Sequence, residues 1–81
     1  MNVTVKLFAR AKDLAGTESV CVDLPEGATV AELRQRLTAQ FPALAGLLQR
    51  SAIGVDGDFA ADRTPVSASA EIAVLPPVSG G

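Results

Sequence analysis

Over residues 2–8 of this 81-residue chain apolar and polar positions alternate singly. Val3, Val5 and Leu7 fall on one face and Thr4, Lys6 and Phe8 on the other, which is the period of a half-buried strand. Phe8 breaks the polarity of its face. Either the strand end bends and carries it into the core, or it stays outside as a contact residue. Residues 9–15 favour helix and stop at Gly16, a residue suited to a left-handed C-cap. Alternation resumes over 18–24, with Val20, Val22 and Leu24 inward and Ser19, Cys21 and Asp23 outward. This predicts a second strand paired with the first.

Pro25, Glu26 and Gly27 make a turn, and Thr29 followed by Glu32 has the spacing of a capping box at a helix start. The helix is predicted to run to about Phe41. Val30, Leu33, Leu37 and Phe41 share one stripe, whereas Glu32, Arg34, Gln35, Arg36 and Gln40 lie elsewhere and read as a solvated face. Pro42 forces a break and opens a further helical stretch that aligns Leu44, Leu47 and Leu48. A short apolar strand is predicted over 52–55. Asp56-Gly57 is a tight-turn dipeptide that folds the chain back into 58–61. Phe59 then sits in a short edge element, where a large side chain is hard to bury. Residues 62–69 read as loop, and residues 71–75 as a last strand with Ile72 and Val74 on one face and Ala73 and Leu75 on the other.

The order strand, strand, long helix, short strands, final strand has a natural solution. One helix covers one face of the sheet, and the last strand lies beside the first and parallel to it. The predicted fold is α+β, a β-grasp with a mixed sheet. Val3, Val5, Leu7, Val20, Val22, Leu24, Ile72 and Val74 should face the helix. Phe8, Leu75 and Phe59 should gather on the other side as an exposed apolar patch, a feature that marks docking sites on small domains.

Composition narrows the chemistry. The net charge is −2, and no cluster of Lys or Arg offers the concentrated positive charge that nucleic acid requires. No apolar run is long enough for a bilayer or patterned as a signal peptide, so neither a membrane nor export is expected and the reading is of a cytoplasmic protein. There is no histidine and a single cysteine. Catalysis by Ser/His/Asp or Cys/His is therefore excluded from this chain alone. A metal site is not expected either, since zinc would have to be held by one thiolate and carboxylates. Cys21 lies on the polar face of its strand with no neighbour there that would clearly lower its pKa.

The chain divides into a globular part, residues 1–75, and a tail, residues 76–81: Pro76, Pro77, Val78, Ser79, Gly80 and Gly81. The prolines have no N–H to give to a sheet and hold the next few residues extended. Six extended residues reach roughly 20 Å. Gly80 and Gly81 carry no Cβ, so a terminal carboxylate could enter a channel too narrow for other residues. A frayed end or an added glycine linker would have the same composition.

The opening Val5-Lys6-Leu7-Phe8-Ala9-Arg10-Ala11-Lys12-Asp13-Leu14-Ala15-Gly16, the Val55-Asp56-Gly57 turn and the closing Val74-Leu75-Pro76-Pro77-Val78-Ser79-Gly80-Gly81 resemble the small, sulfur-carrying subunit of molybdopterin synthase. The resemblance covers the whole chain and implies a ubiquitin-like β-grasp. One departure is Val66-Ser67-Ala68-Ser69-Ala70, where relatives carry an acidic-glycine turn. The resemblance further implies that an adenylating enzyme of the ubiquitin-activating type uses ATP to convert the Gly81 carboxylate to an acyl-adenylate. A sulfur donor then displaces AMP and leaves a thiocarboxylate. The tail next enters the large synthase subunit, in a heterotetramer, and passes sulfur to cyclic pyranopterin monophosphate, and two such transfers make the dithiolene. No permanently bound cofactor is implied. Phe8, Phe59 and Leu75 match the family's apolar docking positions, with Arg10 and Lys12 as polar contacts. Alternatives are a thiamine-pathway sulfur carrier, a ubiquitin-like protein modifier, and a β-grasp domain that only binds.

Overall fold

The computed structural model describes residues 1–77. Strand β1 (Asn2–Leu7) leads into helix α1 (Ala9–Ala15), strand β2 (Ser19–Asp23) and the principal helix α2 (Val30–Gln40). A 3-10 turn (Pro42–Leu44) and α3 (Ala45–Arg50) come next, and then strands β3 (Ala52–Val55), β4 (Asp58–Ala60) and β5 (Ile72–Leu75). The five strands form one sheet in the order β2-β1-β5-β3-β4. β1 and β5 are parallel, with Val5 opposite Ile72 and Leu7 opposite Val74, and the other pairs are antiparallel. This is the mixed-sheet β-grasp that the order of elements predicts. Among the described residues no helix is long and apolar enough to cross a membrane.

The core is what the alternation requires. Val3, Val5, Leu7, Val20, Val22, Leu24, Ile53, Ile72 and Val74 are buried on one side of the sheet. Across from them lie Val30, Leu33 and Leu37 of α2 and Leu44, Leu47 and Leu48 of the turn and helix after Pro42. Each such side chain removed from water contributes about 1.5–3 kcal/mol. Thr29 caps α2, its hydroxyl accepting from Glu32 N at 3.4 Å.

Local expectations are corrected in several places. β1 ends at Leu7 rather than Phe8, because Ala9 takes a left-handed φ of 50° that turns the chain out of the sheet. β4 stops at Ala60, one residue short of the span the alternation suggests. Residues 62–69 are more than a connection. Thr64 O and Asp62 O accept from Val30 N and Ala31 N, so this loop satisfies amides that the first turn of any helix leaves unpaired. Val66, inside the same loop, is buried in the core. The departure at residues 66–70 still makes a turn, Ala70 N donating to Ser67 O at 3.1 Å, without glycine. Arg34 is not on a solvated face. Its guanidinium donates to Leu48 O, to Ser51 O at 2.8 Å and to Asp62 Oδ1 at 3.0 Å, tying α2, α3 and the loop together.

Candidate functional site

The side of the sheet away from α2 is organised by register. Lys6 pairs with Ser19 and with Ala73, Ala73 with Gly54, and Gly54 with Phe59, so one row of residues crosses all five strands on a single face. The middle of this row consists of Ala73 and Gly54. Small residues there leave a low floor between taller neighbours, and the result is a groove of about 270 Å³. Lys6 and Phe8 line it on the β1 side, Phe59 and Asp58 on the β4 side, with Leu75 along β5. Gly57 and Glu71 line its remaining end. A Cβ added to Gly54 would lie 3.6 Å from Leu75 Cδ1, which shows how closely Leu75 overhangs the floor.

The walls are held by backbone geometry. Phe8 caps α1 in an extended conformation (φ −122°, ψ 156°) and accepts from Ala11 N at 3.1 Å. It is 45% exposed, so the strand end does not bend it into the core. Phe59 is 80% exposed, an extreme value for a large apolar side chain. It lies just beyond the Asp56-Gly57 hairpin, whose two central residues both have positive φ, as the two-residue type I′ turn demands. Asp56 fixes that hairpin to β5. Its N–H donates to Glu71 O at 2.8 Å and its carboxylate accepts from Glu71 N at 2.9 Å.

The structure thus brings Phe8, Phe59 and Leu75 to one groove. Lys12 is exposed on α1 and lines a neighbouring hollow with Lys6, Phe8, Glu18 and Ser19, while Arg10, also exposed, lines neither. Pro76 and Pro77 continue directly from β5, the strand that carries Leu75. Val78, Ser79, Gly80 and Gly81 lie outside the described residues. Lys6, Gly54, Asp58, Glu71 and Ala73 line the groove without having been singled out in the sequence. The one signal was Gly54, since a glycine inside a strand marks a place where something approaches the backbone closely. Among the described residues no group of His, Cys, Asp and Glu is placed to hold a metal ion. Cys21 is exposed on β2, opposite Thr4.

A model of the ThiS family matches residues 5–81. The molybdopterin synthase sulfur carrier subunit of Arabidopsis thaliana is 30% identical over 81 residues, covering all of this chain and 84% of that protein. The crystal structure of SAMP1 from Haloferax volcanii superposes with a TM-score of 0.88 at 31% identity, covering both chains completely. A protein–protein complex of subunits 1 and 2 of the molybdopterin-converting factor from Helicobacter pylori contains a chain that matches with a TM-score of 0.70 at 27% identity, again covering both chains completely.

Proposed function

This chain belongs to the ThiS family, and from that premise we propose that it is a sulfur carrier of molybdenum cofactor biosynthesis. Its reactive group is the carboxylate of Gly81. A free α-carboxylate has a pKa of about 3.5 and is ionised at neutral pH, which makes it a poor electrophile. Activation by a partner resolves this. The carboxylate oxygen attacks the α-phosphate of ATP, pyrophosphate leaves, and the acyl-adenylate then loses AMP to a sulfur donor. The product is a thiocarboxylate, which donates its sulfur to cyclic pyranopterin monophosphate inside a large synthase subunit. ATP is consumed in the activating enzyme, and this chain holds no cofactor of its own.

The observation that carries the reading is the joining of two features on one strand. β5 lines an exposed apolar groove with Leu75 and then runs into the Pro76-Pro77 stem of a Gly-Gly tail. The groove offers Phe8, Phe59 and Leu75 to the partners in turn, and Arg10 and Lys12 add polar contacts beside it. The stiff prolines limit what the tail loses in entropy on threading into a channel. The Helicobacter pylori complex, in which the similar chain has a second subunit, supports a partner subunit here; the heterotetramer is part of the proposal.

The likeness to SAMP1, the small archaeal modifier protein 1 of Haloferax volcanii, favours a second reading. In that case Gly81 would be joined to amines of other proteins. One reconstitution separates the two. The full chain, the activating enzyme, ATP, a sulfur donor and a large subunit loaded with cyclic pyranopterin monophosphate should form molybdopterin. The chain lacking Gly80 and Gly81 should form none while keeping its fold. Undiminished activity of the shortened chain would leave only a binding role, and ladders on other proteins without molybdopterin would favour the modifier.

A further inference from the structure

The sheet ends on one side at β2, and the outward carbonyls of that edge are not open. The pairing of Leu24 N with Met1 O and Leu7 N with Glu18 O sets the alternation of the strand. Residues 18, 20, 22 and 24 turn their backbone groups to β1, while 19, 21 and 23 turn theirs outward. Each of these outward carbonyls already holds a side-chain donor. Thr17 Oγ1 donates to Ser19 O at 3.1 Å, Gln40 Nε2 to Cys21 O at 3.3 Å and Arg36 Nη1 to Asp23 O at 3.2 Å. Two of the donors come from α2, one helical turn apart on a face otherwise exposed to water. Donors on every outward carbonyl of an edge strand occupy the positions that an added strand needs.

The strand beneath these caps suits one added strand in particular. Ser19-Val20-Cys21-Val22-Asp23 is nearly the same read in either direction. Paired antiparallel with itself about Cys21, it sets Val20 against Val22 and Ser19 against Asp23, and no like charges face each other. Such pairing would use the carbonyls of residues 19, 21 and 23, the groups the caps hold. We propose that β2 is a latent dimerisation strand for a second copy of this chain, kept closed by Thr17, Arg36 and Gln40. The two-fold axis passes beside Cys21, where facing residues of an antiparallel pair stand about 5.5 Å apart at Cα, within the span a disulfide bridges.

The test uses the whole chain in the variant Arg36→Ala/Gln40→Ala, read by sedimentation under reducing conditions and by cross-linking of Cys21 under mild oxidation. The dimer is relieved of four capping hydrogen bonds, two in each copy, which corresponds to an increase of about thirtyfold or more in the self-association constant over the unsubstituted chain. Covalent dimer joined through Cys21 should form correspondingly faster. Thr17→Val lies outside α2, frees Ser19 O and Ser19 N in each copy, and should act in the same direction by about fivefold. It keeps the test decisive if the double variant folds poorly. Adding Cys21→Lys to the double variant should restore the monomer, because like charges would meet on the axis. An unchanged association constant in the variants overturns the proposal, as does association that survives Cys21→Lys.

Discussion

Phe59 carries most of its ring in water and contributes little to the core, and it does so beside Phe8 and Leu75 in one groove rather than singly. Substitutions at exposed positions away from caps and cores usually change stability by less than about 0.5 kcal/mol. Phe59→Ala should therefore leave the denaturation midpoint nearly unchanged while, on the proposed reading, weakening binding to a large synthase subunit by about tenfold or more, as loss of an aromatic anchor at an interface does. Titration of the two chains by calorimetry or fluorescence checks this. Affinity unchanged with stability unchanged would take Phe59 out of the docking groove. Gly54 teaches the complementary lesson. Its missing side chain, rather than any group it carries, lowers the floor between Phe8 and Phe59, and Leu75 closes over the space from the side.

Among the elements, α2 has the most duties. Val30, Leu33 and Leu37 wall the core, Arg36 and Gln40 reach the β2 edge, and Arg34 anchors α3 and the 62–66 loop. Arg34→Ala should destabilise the fold by about 1–3 kcal/mol, because its removal leaves Leu48 O and Ser51 O without their guanidinium donor. Arg34→Lys should recover only part, since a single ammonium lacks the planar fork that serves several acceptors at once. Chemical denaturation measures both, and a loss below about 0.5 kcal/mol for Arg34→Ala would contradict the anchoring role. This role was not legible in the sequence. Periodicity separates an apolar stripe from the remainder of a helix, and it placed Arg34 correctly off the stripe. It says nothing of which loop will come to lie beside a polar position. The same limit hid Val66, a lone apolar residue in a polar stretch with no period to reveal it. The strands and the core stripe were legible because burial of one face imposes a period on the sequence itself. Ala9 shows the remaining gap: a left-handed alanine has no signature in composition, yet it sets where β1 ends and keeps Phe8 outside.

For the whole molecule, the parallel pairing of β1 and β5 is what joins fold to proposed function. It places Phe8, just past the end of one central strand, and Leu75, at the end of the other, on the same groove, and it sends the chain from there into Pro76 and Pro77. A chain without histidine and with one cysteine lacks the Ser/His/Asp and Cys/His combinations, which suits the proposed carrier, whose partners would perform the reaction. The Gly-Gly ending was readable as a motif, and the groove was foreshadowed by the odd polarity of Phe8 and Phe59. Its floor emerged only from the register that aligned Lys6, Ala73, Gly54 and Phe59. On the proposed reading the carboxylate of Gly81 carries the sulfur, and the thiol of Cys21 is the competing position to be tested. The decisive measurement is therefore fragment-ion mass spectrometry of the full chain after incubation with activating enzyme, ATP and sulfur donor. A carrier of the proposed kind should show a single oxygen-to-sulfur exchange confined to fragments that contain Gly81; added sulfur found on fragments containing Cys21, with an unchanged C-terminus, would contradict it.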